Sequence, residues 1–188
     1  VSIGNENVGS QNPCYIIAEI GINHNGKIEI AKKLIDIAVD AGANAVKFQK
    51  RSQNDLYRED VLKNPNIESQ GLEILIDVLH EVELTNEDYN KLIQYCKEKN
   101  ITFLCTPWDT PSVDFLEQFN LPAYKIASAD LTNFPLIKKI CSKNKPIVLS
   151  TGASNLNEIK NSVKYINKVN PKIRLIILHC ILSYPTNY

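Results

Sequence analysis

The sequence lacks methionine, any low-complexity segment, any linker rich in Gly and Ser, and any excess of charge. Its 21 Lys and Arg are matched by 21 Asp and Glu. With no basic surplus to neutralise phosphates, a nucleic-acid surface is not expected. No stretch approaches the roughly 20 consecutive apolar residues of a membrane span, so no membrane partner is expected. The opening Val1-Ser2-Ile3-Gly4 has no basic stretch followed by an apolar run, and so shows no secretory signal. These absences predict a soluble, cytoplasmic protein. The missing methionine predicts an excerpt or a processed chain. Cys14, Cys96, Cys105, Cys141 and Cys180 are odd in number and without metal-finger spacing. They read as reduced thiols of an intracellular protein. Cys105 and Cys180 read as small hydrophobes at strand ends, with a catalytic thiol as the alternative.

What is present is 44% hydrophobic residues, enough for a core and too many for disorder. They fall in short runs at 15–20, 45–48, 102–105, 123–127, 147–149 and 173–180, bounded by turn residues, as buried strands are. Helical patterns lie between them. Over 28–41, Ile30, Leu34, Ile37, Ala38 and Ala41 form an apolar face and Gly42 supplies a stop. Over 86–99, Asn86 can cap, and Tyr89, Leu92, Ile93 and Cys96 face inward. Further helices are predicted at 132–141 and 155–169, the latter opened by Ser154 or Asn155. The stretch 50–84 is too long for a simple turn and predicts an inserted helix around 70–80.

Strands alternating with helices imply a parallel sheet with right-handed crossovers, either an open doubly wound sheet or a (β/α)8 TIM barrel. No G-x-G-x-x-G follows a strand, so the dinucleotide-binding open sheet has no support. A barrel needs two more strands, which predicts that residues 1–188 are the N-terminal part of one, truncated after about six strands.

Both architectures place ligands at the carboxyl ends of the strands. Those ends carry Glu19, Lys47 with Gln49, Thr106, Lys125 with Ser128 and Asp130, Ser150, and His179 with Ser183 and Tyr184. Lys47 and Lys125 sit inside apolar runs, where a charge is costly unless paired. One reading pairs them with Glu19 or Asp130 in a buried ion network. The other makes Lys47, Lys125, Thr106, Ser128 and Ser150 a site for a phosphate or carboxylate. So many such groups at successive strand ends favour the anion site. His24 and His179 read as structural, and Asn23, Asn25 and Gly26 as turn-forming.

Ala18-Glu19-Ile20-Gly21-Ile22-Asn23-His24-Asn25-Gly26, Val46-Lys47-Phe48-Gln49, Cys105-Thr106-Pro107, Tyr124-Lys125-Ile126-Ala127-Ser128 and Leu149-Ser150-Thr151-Gly152 resemble the sialic-acid synthase family. So does the closing Leu178-His179-Cys180 with Tyr184-Pro185-Thr186. The resemblance implies a (β/α)8 barrel followed by an antifreeze-like domain that covers the partner's active site in a homodimer. It implies a transferase that condenses phosphoenolpyruvate with an N-acylated mannosamine-type sugar, aided by a divalent metal such as manganese (Mn2+). The product would be a nine-carbon 2-keto acid of the N-acetylneuraminate or legionaminate type, a component of bacterial surface polysaccharide.

Carried over by position, Lys47, Thr106, Lys125, Ser128 and Ser150 would hold phosphoenolpyruvate. Glu19 would stand near the reacting carbons as the catalytic acid or base, and Gln49, Asp130 and Tyr184 would hold the sugar. The family's metal ligands lie beyond Tyr188, so no metal ligand is assigned in this chain. Asp130 stands where the N-acetylneuraminate branch usually has Glu, and Leu182 where it often has Asn, which resembles the legionaminate branch with its 2,4-diacetamido-trideoxy-mannose substrate. Two other readings remain: a pyruvate aldolase using Lys125 as its Schiff-base lysine, and a binding module that keeps the anion pocket without chemistry.

Overall fold

The computed structural model describes residues 1–63 and 72–183, with only the backbone described at 72–75. The chain groups into two compact units, Tyr15–Phe103 and the combination of Val1–Cys14 with Leu104–Tyr188.

The Tyr15–Phe103 unit starts with a strand-helix-strand crossover. A strand at Ile17–Gly21 (β3, after the short β1 and β2 described below) leads into helix α1 (Ile28–Asp40) and strand β4 (Ala45–Lys50). β3 and β4 pair in parallel, with Glu19 opposite Lys47. Two short helices follow, α2 (Gln53–Leu56) and α3 (Glu59–Lys63), then α4 (Leu72–Glu81) and α5 (Asn86–Glu98). The insertion after β4 is thus helical at 72–81, one or two residues beyond the span expected from the sequence.

The inward face of α1 is Ala31, Ile35 and Ala38, which shares only Ala38 with the stripe read from the sequence. Ile37 is 63% exposed and Ala41 is exposed, while Ile30 and Leu34 flank the buried line. An i, i+4, i+7 row of two alanines and one isoleucine lets the helix lie close on its strands, and larger residues fit at the margins. For α5 the inward set Tyr89, Leu92, Ile93 and Cys96 is as read from the sequence. Its cap, however, is Thr85 and not Asn86. The Thr85 hydroxyl accepts from Asp88 N at 3.1 Å and the Asp88 carboxylate accepts from Thr85 N at 3.1 Å, a reciprocal capping box. Phe48 stacks on Phe103 at 5.2 Å between ring centres, and Tyr89 meets Phe103 edge-on at 6.5 Å.

The other unit begins with β1 (Ser2–Ile3) and β2 (Glu6–Asn7), an antiparallel hairpin too short to be signalled by sequence alternation. Strand β5 (Thr102–Pro107), in which the division between the units falls, leads to α6 (Thr110–Glu117), β6 (Tyr124–Ile126) and α7 (Phe134–Cys141). Then come β7 (Ile147–Ser150), α8 (Leu156–Val169) and β8 (Leu175–Leu178). The sheets have the orders β3-β4-β5 and β6-β7-β8, and β6·β7 and β7·β8 are parallel. The protein is therefore an α/β fold with parallel sheets.

Side chains cap each of these helices. Asp109 Oδ1 accepts from Ser112 N at 2.7 Å, with Pro111 in the first turn of α6. Asn133 caps α7, so that helix starts at Phe134 and Thr132 lies outside it. Asn155, rather than Ser154, caps α8. The core of this unit is apolar and closely filled by Leu116, Ile126, Leu136, Ile137, Ile140, Ile147, Leu149 and Ile166.

Candidate active site

The carboxyl ends of β3 and β4 carry the polar cluster of the Tyr15–Phe103 unit. Lys47 is 7% exposed and forms an ion pair with Glu19, its register partner, whose side chain is 55% exposed. The pairing that would neutralise a buried lysine is therefore made, with its acid left facing outward. Gly21 makes this turn possible: its φ is +55°, and a Cβ there would lie 3.2 Å from Gln49 Nε2 and 3.4 Å from Glu19 Oε1. Gln49 is held on both sides. Its side-chain oxygen accepts from the buried Arg51 guanidinium and its carbonyl accepts from the Tyr89 hydroxyl. Lys50 turns away to Glu83, with its Nζ 5.3 Å from the centre of the Tyr89 ring.

His24 is buried and structural. Its Nδ1 accepts from Gly26 N at 3.1 Å and its ring lies 5.9 Å from that of Phe48. Burial lowers its pKa below 6.5, only partly offset by a hydrogen bond with the Gly21 backbone, so the ring is neutral.

The second cluster lies at the ends of β6, β7 and β8. Lys125 is 8% exposed and its Nζ donates to Ile126 O at 2.7 Å. The Ser128 hydroxyl accepts from Gly152 N at 2.9 Å, and Ser150 is buried at the last position of β7. Gly152 leaves room for this contact, since a Cβ there would lie 2.9 Å from Ser128 Oγ and 3.4 Å from Cys180 Cβ and would displace the Ser128 hydroxyl. The Thr151 hydroxyl ties this loop to Leu178 O at 2.7 Å. Burial pushes the Cys180 thiol up, but hydrogen bonds from Ser150, the Thr151 backbone and Ser128, with the charge of Lys125, leave it below its ordinary value. Thr106 is buried near the end of β5.

Asp130 closes the 3-10 turn Ser128–Asp130. It is 8% exposed, its Oδ1 accepts from Asn133 Nδ2 at 3.0 Å, and its Oδ2 has no hydrogen bond among the described residues. Burial raises its pKa above the usual carboxylate range, against the pull of Asn133 and Lys125, and nearby Asp109 adds to the rise. Beside this turn opens a cavity of about 260 Å³, walled by Ser128, Thr132, Gly152, Ser154, Glu158 and Leu182.

Thus Glu19, Lys47 and Gln49 share one cluster, and Lys125, Ser128 and Ser150 share another with Asp130 beside it. Tyr184 lies outside the described residues. Two participants stand at strand ends in the sequence but receive no assigned role there. Cys180 reads as a small hydrophobe or a catalytic thiol, and Arg51 lies two residues beyond Gln49; the folded neighbours give each its partners. Among the described residues no three His, Cys, Asp or Glu side chains are grouped so as to hold a metal. Among them, too, no helix is long and apolar enough to cross a membrane.

Parallel strands with polar side chains gathered at their carboxyl ends place this chain with the α/β proteins that carry ligands at that edge. Residues 34–188 match the NeuB family, and the chain belongs to it. It is 41% identical over 181 residues to the N,N'-diacetyllegionaminic acid synthase of Campylobacter jejuni, covering 92% of this chain and 53% of that protein. It is 32% identical over 179 residues to the human N-acetylneuraminate-9-phosphate synthase, covering 95% of this chain and 49% of that one. The crystal structure of an N-acetylneuraminic acid (sialic acid) synthetase from Leptospira borgpetersenii superposes with a TM-score of 0.85 at 33% identity, covering 100% of this chain and 61% of that one. The chain spans about half the length of the curated relatives it matches.

Proposed function

We propose that the complete protein condenses phosphoenolpyruvate with an N-acylated amino sugar to give a nine-carbon 2-keto acid and inorganic phosphate. The observation that carries the proposal is Lys125: an ammonium 8% exposed, at a strand end with Ser128 and Ser150. A desolvated cation there is suited to a multiply charged anion, and membership of the NeuB family supplies the substrate class. Lys47, Thr106, Lys125, Ser128 and Ser150 replace the water shell of phosphoenolpyruvate.

C3 of phosphoenolpyruvate forms a bond to the aldehyde carbon of the open-chain sugar. Water adds at C2, and cleavage of the C2–O bond releases phosphate. Glu19, held by Lys47 and open to solvent on its other side, orients the water or moves its proton. Gln49, Asp130 and Tyr184 hold the sugar. The proposal extends to a (β/α)8 barrel completed by residues outside these 188, an antifreeze-like domain and a homodimer, in the cytoplasm, with a divalent metal such as manganese bound by other parts of the protein.

Lys125→Met keeps the apolar stem and removes the charge. In the complete protein it should fold normally and lower kcat/KM for phosphoenolpyruvate by roughly 2–5 kcal/mol, with KM for the sugar changed much less. Unaltered phosphoenolpyruvate kinetics would overturn the assignment. For the sugar we favour the legionaminate branch, supported by Leu182 and Asp130 and by the Campylobacter relative. Its check is a competition between 2,4-diacetamido-trideoxy-mannose and N-acetylmannosamine. A higher kcat/KM for the second sugar would assign the neuraminate branch instead.

A further inference from the structure

At the amino ends of β7 and β8 lies a cavity of about 340 Å³, lined by Ser2, Asn144, Lys145, Lys172 and Arg174 among others. Ser150 ends β7 at its other extremity, about 10 Å away by strand rise. Three cations line the cavity and no carboxylate does. None of the three forms an ion pair among the described residues; Lys145 Nζ donates to the neutral Asn120 Oδ1 at 2.6 Å. In a chain whose charges cancel overall, the residues lining this wall carry +3 and include no carboxylate.

The loops bearing these cations are fixed to each other. Asn170 Nδ2 donates to Cys141 O at 3.1 Å and to Asn144 Oδ1 at 2.7 Å, while its Oδ1 accepts from Lys172 N at 3.1 Å. Ile147 N donates to Arg174 O at 2.9 Å and so ties the two strand starts together. Cations just after α7 and α8 also complement the negative helix ends, but that effect fades beyond the last turn. Lys145 lies four residues past Cys141 and Arg174 five past Val169, so the helix ends do not account for them.

We propose that this cavity binds a phosphorylated small molecule carrying two or more negative charges. A concave wall of one sign focuses the field at its centre, and the Arg fork with two Lys ammoniums matches the oxygens of a compact polyanion. Its volume lies in the range of small-molecule pockets, roughly 300–1,000 Å³. The site stands apart from the synthase reading and does not depend on it.

The test uses the complete protein and inorganic pyrophosphate, titrated by calorimetry at low salt. Three proteins are compared: the unaltered one, Lys172→Gln with Arg174→Gln, and Lys125→Met. In the Lys125→Met protein, where the phosphoenolpyruvate site is weakened, the binding event at the strand amino ends should keep the affinity it has in the unaltered protein, and only a second event at the Lys125 cluster should be lost. The double variant should bind it at least about tenfold more weakly, the loss of one charge-assisted contact or more. Lys172→Arg should retain binding, and the Lys172 and Arg174 variants should melt as the parent does because these side chains are exposed. The proposal fails if the double variant keeps its affinity, if only Lys125→Met loses it, or if millimolar pyrophosphate gives no binding. Tighter binding of an acidic peptide than of pyrophosphate would also overturn it, assigning the surface to a protein partner.

Discussion

Asp130 Oδ2 is buried with no hydrogen bond among the described residues, and burial holds the carboxyl above its ordinary pKa. A raised carboxylate pKa means the folded state holds its proton more tightly than the unfolded chain. The stability so gained is present at low pH and lost as pH rises through the folded pKa. Asp130→Asn should therefore stabilise the protein at neutral pH by on the order of 1 kcal/mol, about 2–4 °C in Tm. The gain should shrink toward about pH 4, where Asp130 is neutral as well. Thermal melts across that range decide the matter; a destabilised variant would refute the account. If Asp130 holds the sugar, the same variant should raise KM for the sugar, a stability gain bought with function. Cys180 gives a second prediction at this scale. Burial pushes Cys96 up to about 12 and Cys141 up to about 11, while Cys180 is lowered by its neighbours. Iodoacetamide should alkylate Cys180 well before either, and phosphoenolpyruvate should protect it. Peptide mass spectrometry reads both effects, and equal labelling of all three would sink the idea.

Among elements, the turn between β3 and α1 shows what its sequence motif does. Asn25 has φ +49° and Gly26 φ +68°. A Cβ on Gly26 would stand 2.4 Å from the Glu81 carbonyl, and Gly26 N is held by His24 Nδ1. The polar run from Asn23 to Gly26 therefore shapes the backbone that starts α1 just beyond Glu19. Gly26→Ala meets both an unfavourable φ and a backbone clash, and should cost about 2–4 kcal/mol in denaturant unfolding. A loss under half a kcal/mol would show that the turn can relax. The strands and helices themselves were legible because hydrophobic period and turn residues are local signals. Cap positions slipped by one residue at α5 because Thr85 and Asn86 are both good caps. The Asp88 carboxylate three residues on decided for Thr85.

For the molecule as a whole, the outer edge of the β6-β7-β8 sheet matters most. β8 is the last strand in that order, Ile177 is 49% exposed, and Ile181 and Leu182 are 62% and 61% exposed. An outer strand with apolar side chains is a template for pairing with another chain. Produced alone, these 188 residues should associate with rising concentration in light scattering, and Ile177→Lys should reduce that association. A fragment that stays monomeric at high concentration would refute this.

The order of strands and helices, the placing of lysines and hydroxyls at strand ends and the family itself were all determined by the sequence. Each rests on local pattern or on motifs read in order. Only the tertiary structure decided that Lys47 takes Glu19 as its partner, that α1 buries Ala31 and Ile35 while exposing Ile37, and that Cys180 joins Ser128, Ser150 and Lys125. It also decided that one Asp130 oxygen is buried with no hydrogen bond among the described residues. These depend on which strands lie side by side, joining residues that are 24 to 55 positions apart, from Gly152 and Ser128 to Cys180 and Lys125. No local period carries that information, because burial and hydrogen bonding are set by the neighbours the folded sheet supplies.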